Sequence, residues 1–418
     1  PPILYKRCTN QLSSALSFLF QYSFDSGFIP DIWKTALVTP VYKKGCTLQA
    51  SNYRPISLTC NICKIMESII KEAMLNYLLR YKFISKHQHG FLSKHSTDTN
   101  ILRSVHDWSL AIDMKQSVDA VYIDFSHAFD SVVHSKLLHK LQSIGINGCL
   151  LQWIEKFLTD RTQCTVVEFC SSCISNVLSG VIQGSVLGPI LFIIYVNDVL
   201  DIFGSNVTCR MYADDMKLYS VLPADLNPAA LITALDKLEL WASDWQLSIN
   251  ISKCNAMHIG CRNPQFSYSI NSTIIANCDV IRDLGVEIDN KLKFDVHINC
   301  IVKKAYNRVS VIYRGFVTRD TRILQKAYIT YVRPILDYCS HVWSPMYVKY
   351  IDAIEKVQKR FTKRLPRMQD LSYLERLAIL GWDTLELCRL KSDLCLYYSI
   401  YKQNSSTDRD KYFQLNPC

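Results

Sequence analysis

Val207-Thr208-Cys209-Arg210-Met211, then Tyr212-Ala213-Asp214-Asp215, then Met216-Lys217-Leu218-Tyr219-Ser220-Val221: two largely apolar segments flank a tetrapeptide that ends in adjacent acids. The pattern predicts a β-hairpin that displays both carboxylates at its turn. Like charges held so close repel unless a cation neutralises them, and paired divalent ions are the usual partner in phosphoryl-transfer sites. An exposed turn can also carry Asp-Asp for solvation alone, so a third acid decides between the two readings. Ala120-Val121-Tyr122-Ile123-Asp124-Phe125 supplies it, as an apolar strand ending on Asp124. Asp before a helix is also a good N-cap, which is the competing reading of Asp124.

Further blocks follow one another along the chain. They are Lys43-Lys44-Gly45, Asn52-Tyr53-Arg54-Pro55-Ile56-Ser57, Gln88-His89-Gly90-Phe91 and Tyr122-Ile123-Asp124-Phe125-Ser126-His127-Ala128-Phe129-Asp130. Gly180-Val181-Ile182-Gln183-Gly184-Ser185-Val186-Leu187-Gly188-Pro189, the Tyr212 to Asp215 turn, Lys253 and Leu284-Gly285-Val286 complete the series. In this order they resemble the reverse transcriptase domain of a non-LTR retrotransposon, of the LINE kind related to jockey and CR1 elements.

The resemblance implies an α+β right-hand polymerase with fingers, a palm on an antiparallel sheet and a helical thumb. It divides the chain into an N-terminal extension with fingers (1–117), a palm (118–290) and a helical thumb with a basic C-terminal region (297–418), the reverse transcriptase domain spanning about 24–289. The implied reaction is RNA-directed DNA synthesis, in which a primer 3′-hydroxyl attacks the α-phosphorus of a dNTP with two Mg²⁺ ions, or Mn²⁺ in their place. Asp124 and Asp214 become the principal metal carboxylates, with Asp215 and the main-chain carbonyl of Phe125 as further ligands. Hard Mg²⁺ wants such oxygen donors. Lys253 matches the position that protonates departing pyrophosphate, while Lys44 and Arg54 match residues that grip the triphosphate, where Arg suits bidentate recognition. Phe129 matches an aromatic residue beneath the incoming sugar that excludes a 2′-hydroxyl by clash. Gln183 and Gly184, in a turn expected to enter a helix at Ser185, match residues beside the nucleotide, and Leu284 and Gly285 match the primer grip. Without the resemblance, Phe129 reads as a core ring and Lys-Lys-Gly as a surface turn. Leu92 and Cys254 depart from the pattern, standing where relatives commonly carry a basic and a hydroxyl residue.

Composition agrees with this picture. A chain of 418 residues exceeds one compact core, and 49% hydrophobic with 20% charged residues is globular. The net charge of +10 favours a polyanionic partner. RNA template, DNA primer, their hybrid and dNTPs are the expected partners, with no membrane, and the chain is expected within an intracellular ribonucleoprotein of nucleus and cytoplasm. The most apolar run, Val186 to Val196, is shorter than the roughly 20 residues of a spanning helix and contains Gly188 and Pro189. Seventeen scattered cysteines point to reduced thiols. Neither Cys60/Cys63 nor Cys170/Cys173 has a second pair at zinc spacing; the apolar positions Ile62, Ile65, Met66, Ile69 and Ile70 predict a helix around the first, and Cys339 and His341 read as structural. Helices are also expected over Leu12 to Phe24, from His297 onward, and over Ile351 to Arg364 with a basic face.

The chain opens on Pro1, so a fragment of a longer product is expected, and any endonuclease would lie upstream. Nicking by this chain is not expected. Arg54 to Ser57 and Leu284-Gly285-Val286 favour the LINE group over an intron maturase, while Phe129 and Ala213 speak against an RNA-dependent RNA polymerase. A catalytically decayed or co-opted RNA-binding protein is the remaining alternative; it would keep the basic helices and lose synthesis.

Overall fold

The computed structural model describes residues 2–222, 227–407 and 409–412. Strands β1 (Thr35–Tyr42) and β2 (Tyr53–Leu58) form an antiparallel ribbon, registered from Leu37↔Leu58 to Tyr42↔Tyr53. The loop joining them carries Lys43 and Lys44 and is closed by Lys43 N–H donating to the Asn52 carbonyl at 2.8 Å. Two long helices follow, Asn61–Arg80 and Thr97–Asp113, and lead into β3 (Val118–Ile123).

The next strand does not stay beside β3. β4 (Arg161–Val167) pairs parallel with β1, and β5 (Cys170–Ser171) and β6 (Ser175–Val177) pair with β4. Residues 161–177, inside the span expected for the palm, therefore extend the N-terminal sheet. The two strands differ in burial: β4 is largely half-exposed, whereas β3 is buried along nearly its whole length.

β7 (Thr208–Tyr212) and β8 (Asp215–Val221) are the expected hairpin, and β9 (Asn255–Ile259) follows. β10 (Ser269–Ile270) and β11 (Thr273–Ile274) make a small hairpin, and β12 (Ala276–Asn277) joins β9. The central sheet has the order β12-β9-β3-β8-β7, with β3 antiparallel to both β8 and β9. A separate hairpin, β13 (Val280–Asp283) and β14 (Val286–Asp289), turns at Leu284-Gly285.

Alternation along β3 fixes which side chains meet which core. Val121 and Ile123 pack with the helix Gly188–Val196, while Val118 and Ala120 pack with the helices Thr97–Asp113 and Asp295–Gly315. Both faces of the sheet are covered. The Gly188 helix starts later than the expected Ser185, because Ser185 Oγ accepts the Gly188 N–H at 2.9 Å and Pro189 suits a first helical turn.

The other expected helices are present as Thr9–Ser26, Asp295–Gly315 and Val348–Lys363. In the last of these, Ile354, Val357 and Phe361 are buried. Cys63 is buried on the helix Asn61–Arg80, and the described cysteines are free thiols. Among the described residues, no helix is long and apolar enough to cross a membrane.

Candidate active site

The acidic turn is held from behind. Tyr212 pairs with Asp215 across it, and Ala213 takes a left-handed φ of 59°, uncommon for a residue with a Cβ. Gln88 Oε1 accepts the N–H groups of Gly90 at 2.8 Å and Ala213 at 2.9 Å. His89 N–H donates to the Met211 carbonyl at 2.9 Å, and the Asn100 amide donates to the same oxygen at 3.0 Å. Gly90 lies so close that a Cβ there would sit 2.5 Å from Ala213 N. The Gln88 to Phe91 block therefore acts as a backstop for the carboxylate turn. Its sequence carries no signal of this, since the Gln88–Ala213 contact spans 125 positions.

Asp124 reaches the same place from the central strand. The last β3–β8 rung is Ile123↔Met216, so the next step along each strand brings Asp124 beside Asp215. Asn250 N–H donates to the Asp124 carbonyl at 2.7 Å and Ser126 N–H to the Ser248 carbonyl at 2.8 Å, clasping this end of β3 without using the Phe125 carbonyl. No helix begins after Asp124, so the N-cap reading falls; its carboxylate meets Lys253 Nζ at 3.3 Å.

Charge crowding is the electrostatic signature of the site. Loss of hydration and then the Asp124 charge hold the Asp214 carboxyl above its ordinary range, with Arg54 and Lys43 pulling it back. Asp215 is pushed up to about 6, by lost hydration first and then by Asp214, Asp283 and Asp124. Lys43 opposes this shift as well, so the loop charge that reaches both acids is that of Lys43; Lys44 is exposed beside it.

Among the described residues, no three His, Cys, Asp or Glu side chains form a ready metal cage. Mg²⁺ is usually held by one or two carboxylates together with substrate phosphates. The donors offered by Asp124 and Asp214 are hard oxygens whose repulsion a divalent ion would relieve.

A second group of expected residues lies together. The Phe129 ring stacks on Phe192 with centroids 4.2 Å apart and meets Phe91 edge-on at 6.4 Å. The Phe129 carbonyl accepts the Val181 N–H at 2.8 Å, and the Gln183 amide donates to Asp130 Oδ1 at 3.0 Å. Gly184 has φ 116°, and a Cβ there would stand 2.4 Å from the Ser57 carbonyl oxygen. The Gln183-Gly184 turn is thereby pressed against β2, the strand that carries Arg54.

Leu284 and Gly285 form the tip of the β13–β14 hairpin, with φ 44° and 97°. Positive φ at both central residues suits a two-residue hairpin turn. Leu284 shares a cavity of about 270 Å³ with Asp124, Asp215, Lys253, Lys217 and Asp283. Lys217, Asp283 and Gln88 are the neighbours of the acids to which the sequence assigned no role.

An α+β fold whose antiparallel sheet brings a strand-end carboxylate to an acidic hairpin turn is that of a right-hand polymerase. The chain belongs to the reverse transcriptase (RNA-dependent DNA polymerase) family, whose model matches residues 41–288. It is 29% identical over 371 residues to the RNA-directed DNA polymerase from mobile element jockey of Drosophila melanogaster, covering 85% of this chain and 40% of that one. It is 27% identical to the probable RNA-directed DNA polymerase from transposon BS of the same fly, covering 80% and 38%. These relatives agree with the non-LTR resemblance. The chain thus spans about 40% of the length of the curated relatives it matches. Apo telomerase from Candida tropicalis aligns over 84% of this chain and 62% of its own, at 11% identity and a TM-score of 0.48.

Proposed function

We propose that this chain copies RNA into DNA for a non-LTR mobile element, adding dNTPs to a primer 3′-hydroxyl. The observation that carries the reading is the approach of Asp124, across the end of the β3–β8 ladder, to the Asp214-Asp215 turn. Asp124 and Asp214 would hold the divalent ions, with Asp215 and the Phe125 carbonyl beside them. Bound there, the ions would stabilise the entering and departing oxygens of an in-line displacement. The chain's own groups do the rest. Lys253 offers a proton donor next to Asp124, and Arg54 with the Lys43-Lys44 loop offers cationic contacts for a triphosphate.

On this reading the β1–β2 ribbon and its helices serve as fingers, the central sheet as palm and the helices from Asp295 onward as thumb. The nucleic acid would be an RNA template paired with a DNA primer. Primer extension on poly(A) RNA with an oligo(dT) primer and Mg²⁺ tests the proposal directly. Template binding without any incorporation would instead establish a co-opted RNA-binding protein.

Phe129 makes sugar choice testable. Its ring is braced against Phe192, so it cannot easily swing aside to admit a 2′-hydroxyl. Phe129→Val should raise the ratio of catalytic efficiencies for ribonucleotides over deoxyribonucleotides by about tenfold or more, since steric exclusion is lost. A ratio unchanged from the parent chain would make the ring a packing residue only.

A further inference from the structure

We propose that the buried ion pair Lys217–Asp283 is a positioning device that fixes the primer terminus against the catalytic carboxylates, an inference resting on the primer-grip reading of Leu284-Gly285. Lys217 Nζ lies 2.5 Å from Asp283 Oδ2, with side chains only 3% and 7% exposed. Strand alternation puts Asp215 and Lys217 on one face of β8. Asp283 is the last residue of β13, immediately before the Leu284-Gly285 turn. One bond therefore joins the acidic strand to the hairpin tip.

The geometry makes this tie consequential. β13 and β14 form a two-stranded sheet of their own, so no shared hydrogen-bond ladder sets their position relative to β8. At the base of this hairpin Cys278 N–H donates to the Ala256 carbonyl of β9 at 2.9 Å, and side chains must place the tip. On the other flank, the Tyr338 hydroxyl donates to the Leu284 carbonyl at 2.7 Å, and a Cβ at Gly285 would sit 3.1 Å from the Tyr338 ring. The tip is thus gripped from two sides, by Tyr338 and by the ion pair. Both ionic partners also line the cavity that holds Asp124, Asp215 and Lys253.

Stability alone would not call for such a pair. Desolvating two charges is costly, and apolar residues of similar volume often do as well or better. What an apolar pair lacks is a directional bond of fixed length, and a misplacement of about 1 Å near reacting atoms can cost roughly 100-fold in rate.

The test compares Lys217→Met, Asp283→Asn and the double variant Lys217→Met/Asp283→Met, in the full chain with oligo(dT)-primed poly(A) RNA and Mg²⁺. Each single variant should lose thermal stability, because one charge is left buried without its partner. The double variant should regain most of that stability yet keep a loss of about tenfold or more in kcat at saturating primer and dTTP, with KM for dTTP changed by less than about twofold. Recovery of both melting temperature and kcat in the double variant would overturn the proposal, since the pair would then be packing only. Tyr338→Phe reads the grip separately by removing its hydrogen bond to Leu284. If Tyr338→Phe lowers primer use while the double variant does not, the ion-pair role alone fails; if both leave primer use at the parent level, the primer-grip reading fails with it.

Discussion

Replacing Asp214 by Asn is expected to abolish primer extension while leaving binding of the template–primer within about twofold of the parent chain, because affinity comes mainly from phosphate contacts on the basic surface. A fall of about 10³-fold or more corresponds to roughly 4 kcal/mol of lost transition-state stabilisation. Asp124→Asn should match it. Both carboxylates face the same charge-crowded point, and each contributes oxygens that an amide replaces only poorly for Mg²⁺. Retention of most of the rate by either variant in the extension assay would remove the proposed metal role. A lost rate could also come from a misfolded turn, and a melting measurement separates the two causes. The Asp214 carboxyl is held above its ordinary value of 3.8, so its anion is costlier in the folded chain than in the unfolded one. That penalty is absent below the ordinary value and grows as pH rises through the raised one. Without Mg²⁺, Asp214→Asn should therefore melt higher than the parent chain at pH 7.5, and the gain should vanish near pH 3. A lower melting temperature at pH 7.5 would mean that the substitution damages the turn.

How far the sequence reached depends on whether a contact is local. The β7–β8 hairpin and the strand before Asp124 were legible because short apolar runs and the acids that end or join them lie in consecutive residues. The helix Asn61–Arg80 was legible from its apolar spacing. β4 was not, since nothing within Arg161–Val167 tells which sheet it will join; its parallel pairing to β1 is set by tertiary packing. The site shows the same division. Asp124, Asp214 and Asp215 could be named because acids at strand ends and turns are conspicuous, whereas Gln88 and the Lys217–Asp283 pair act across long separations and look like ordinary polar residues in line. Lys43 and Lys44 show the limit of resolution. Sequence puts a cation in that loop, but only the folded chain tells that the charge of Lys43 reaches Asp214 and Asp215.

Gly90→Ala should lower kcat by roughly 100-fold, the scale expected when reacting groups shift by about 1 Å. The added methyl would sit 2.5 Å from Ala213 N and 3.1 Å from Ala213 Cα. These are backbone atoms of the turn that displays Asp214, so no flexible side chain can yield in their place. Gln88 Oε1 bonds both Gly90 N–H and Ala213 N–H, so separating the two segments strains or breaks that shared acceptor. A buried acceptor left short of a partner costs about 1–3 kcal/mol. The substitution should therefore lower the melting temperature modestly and the rate severely. Gly90→Ala removes no basic side chain, so neither template–primer affinity nor its salt dependence should change by more than about twofold. Gln88→Ala removes the acceptor without adding bulk and should reproduce part of the rate loss. Single-turnover extension at saturating dTTP separates the chemical step from binding. A Gly90→Ala chain that extends primers at the parent rate would show that the segment 88–91 supports the acidic turn without setting its position.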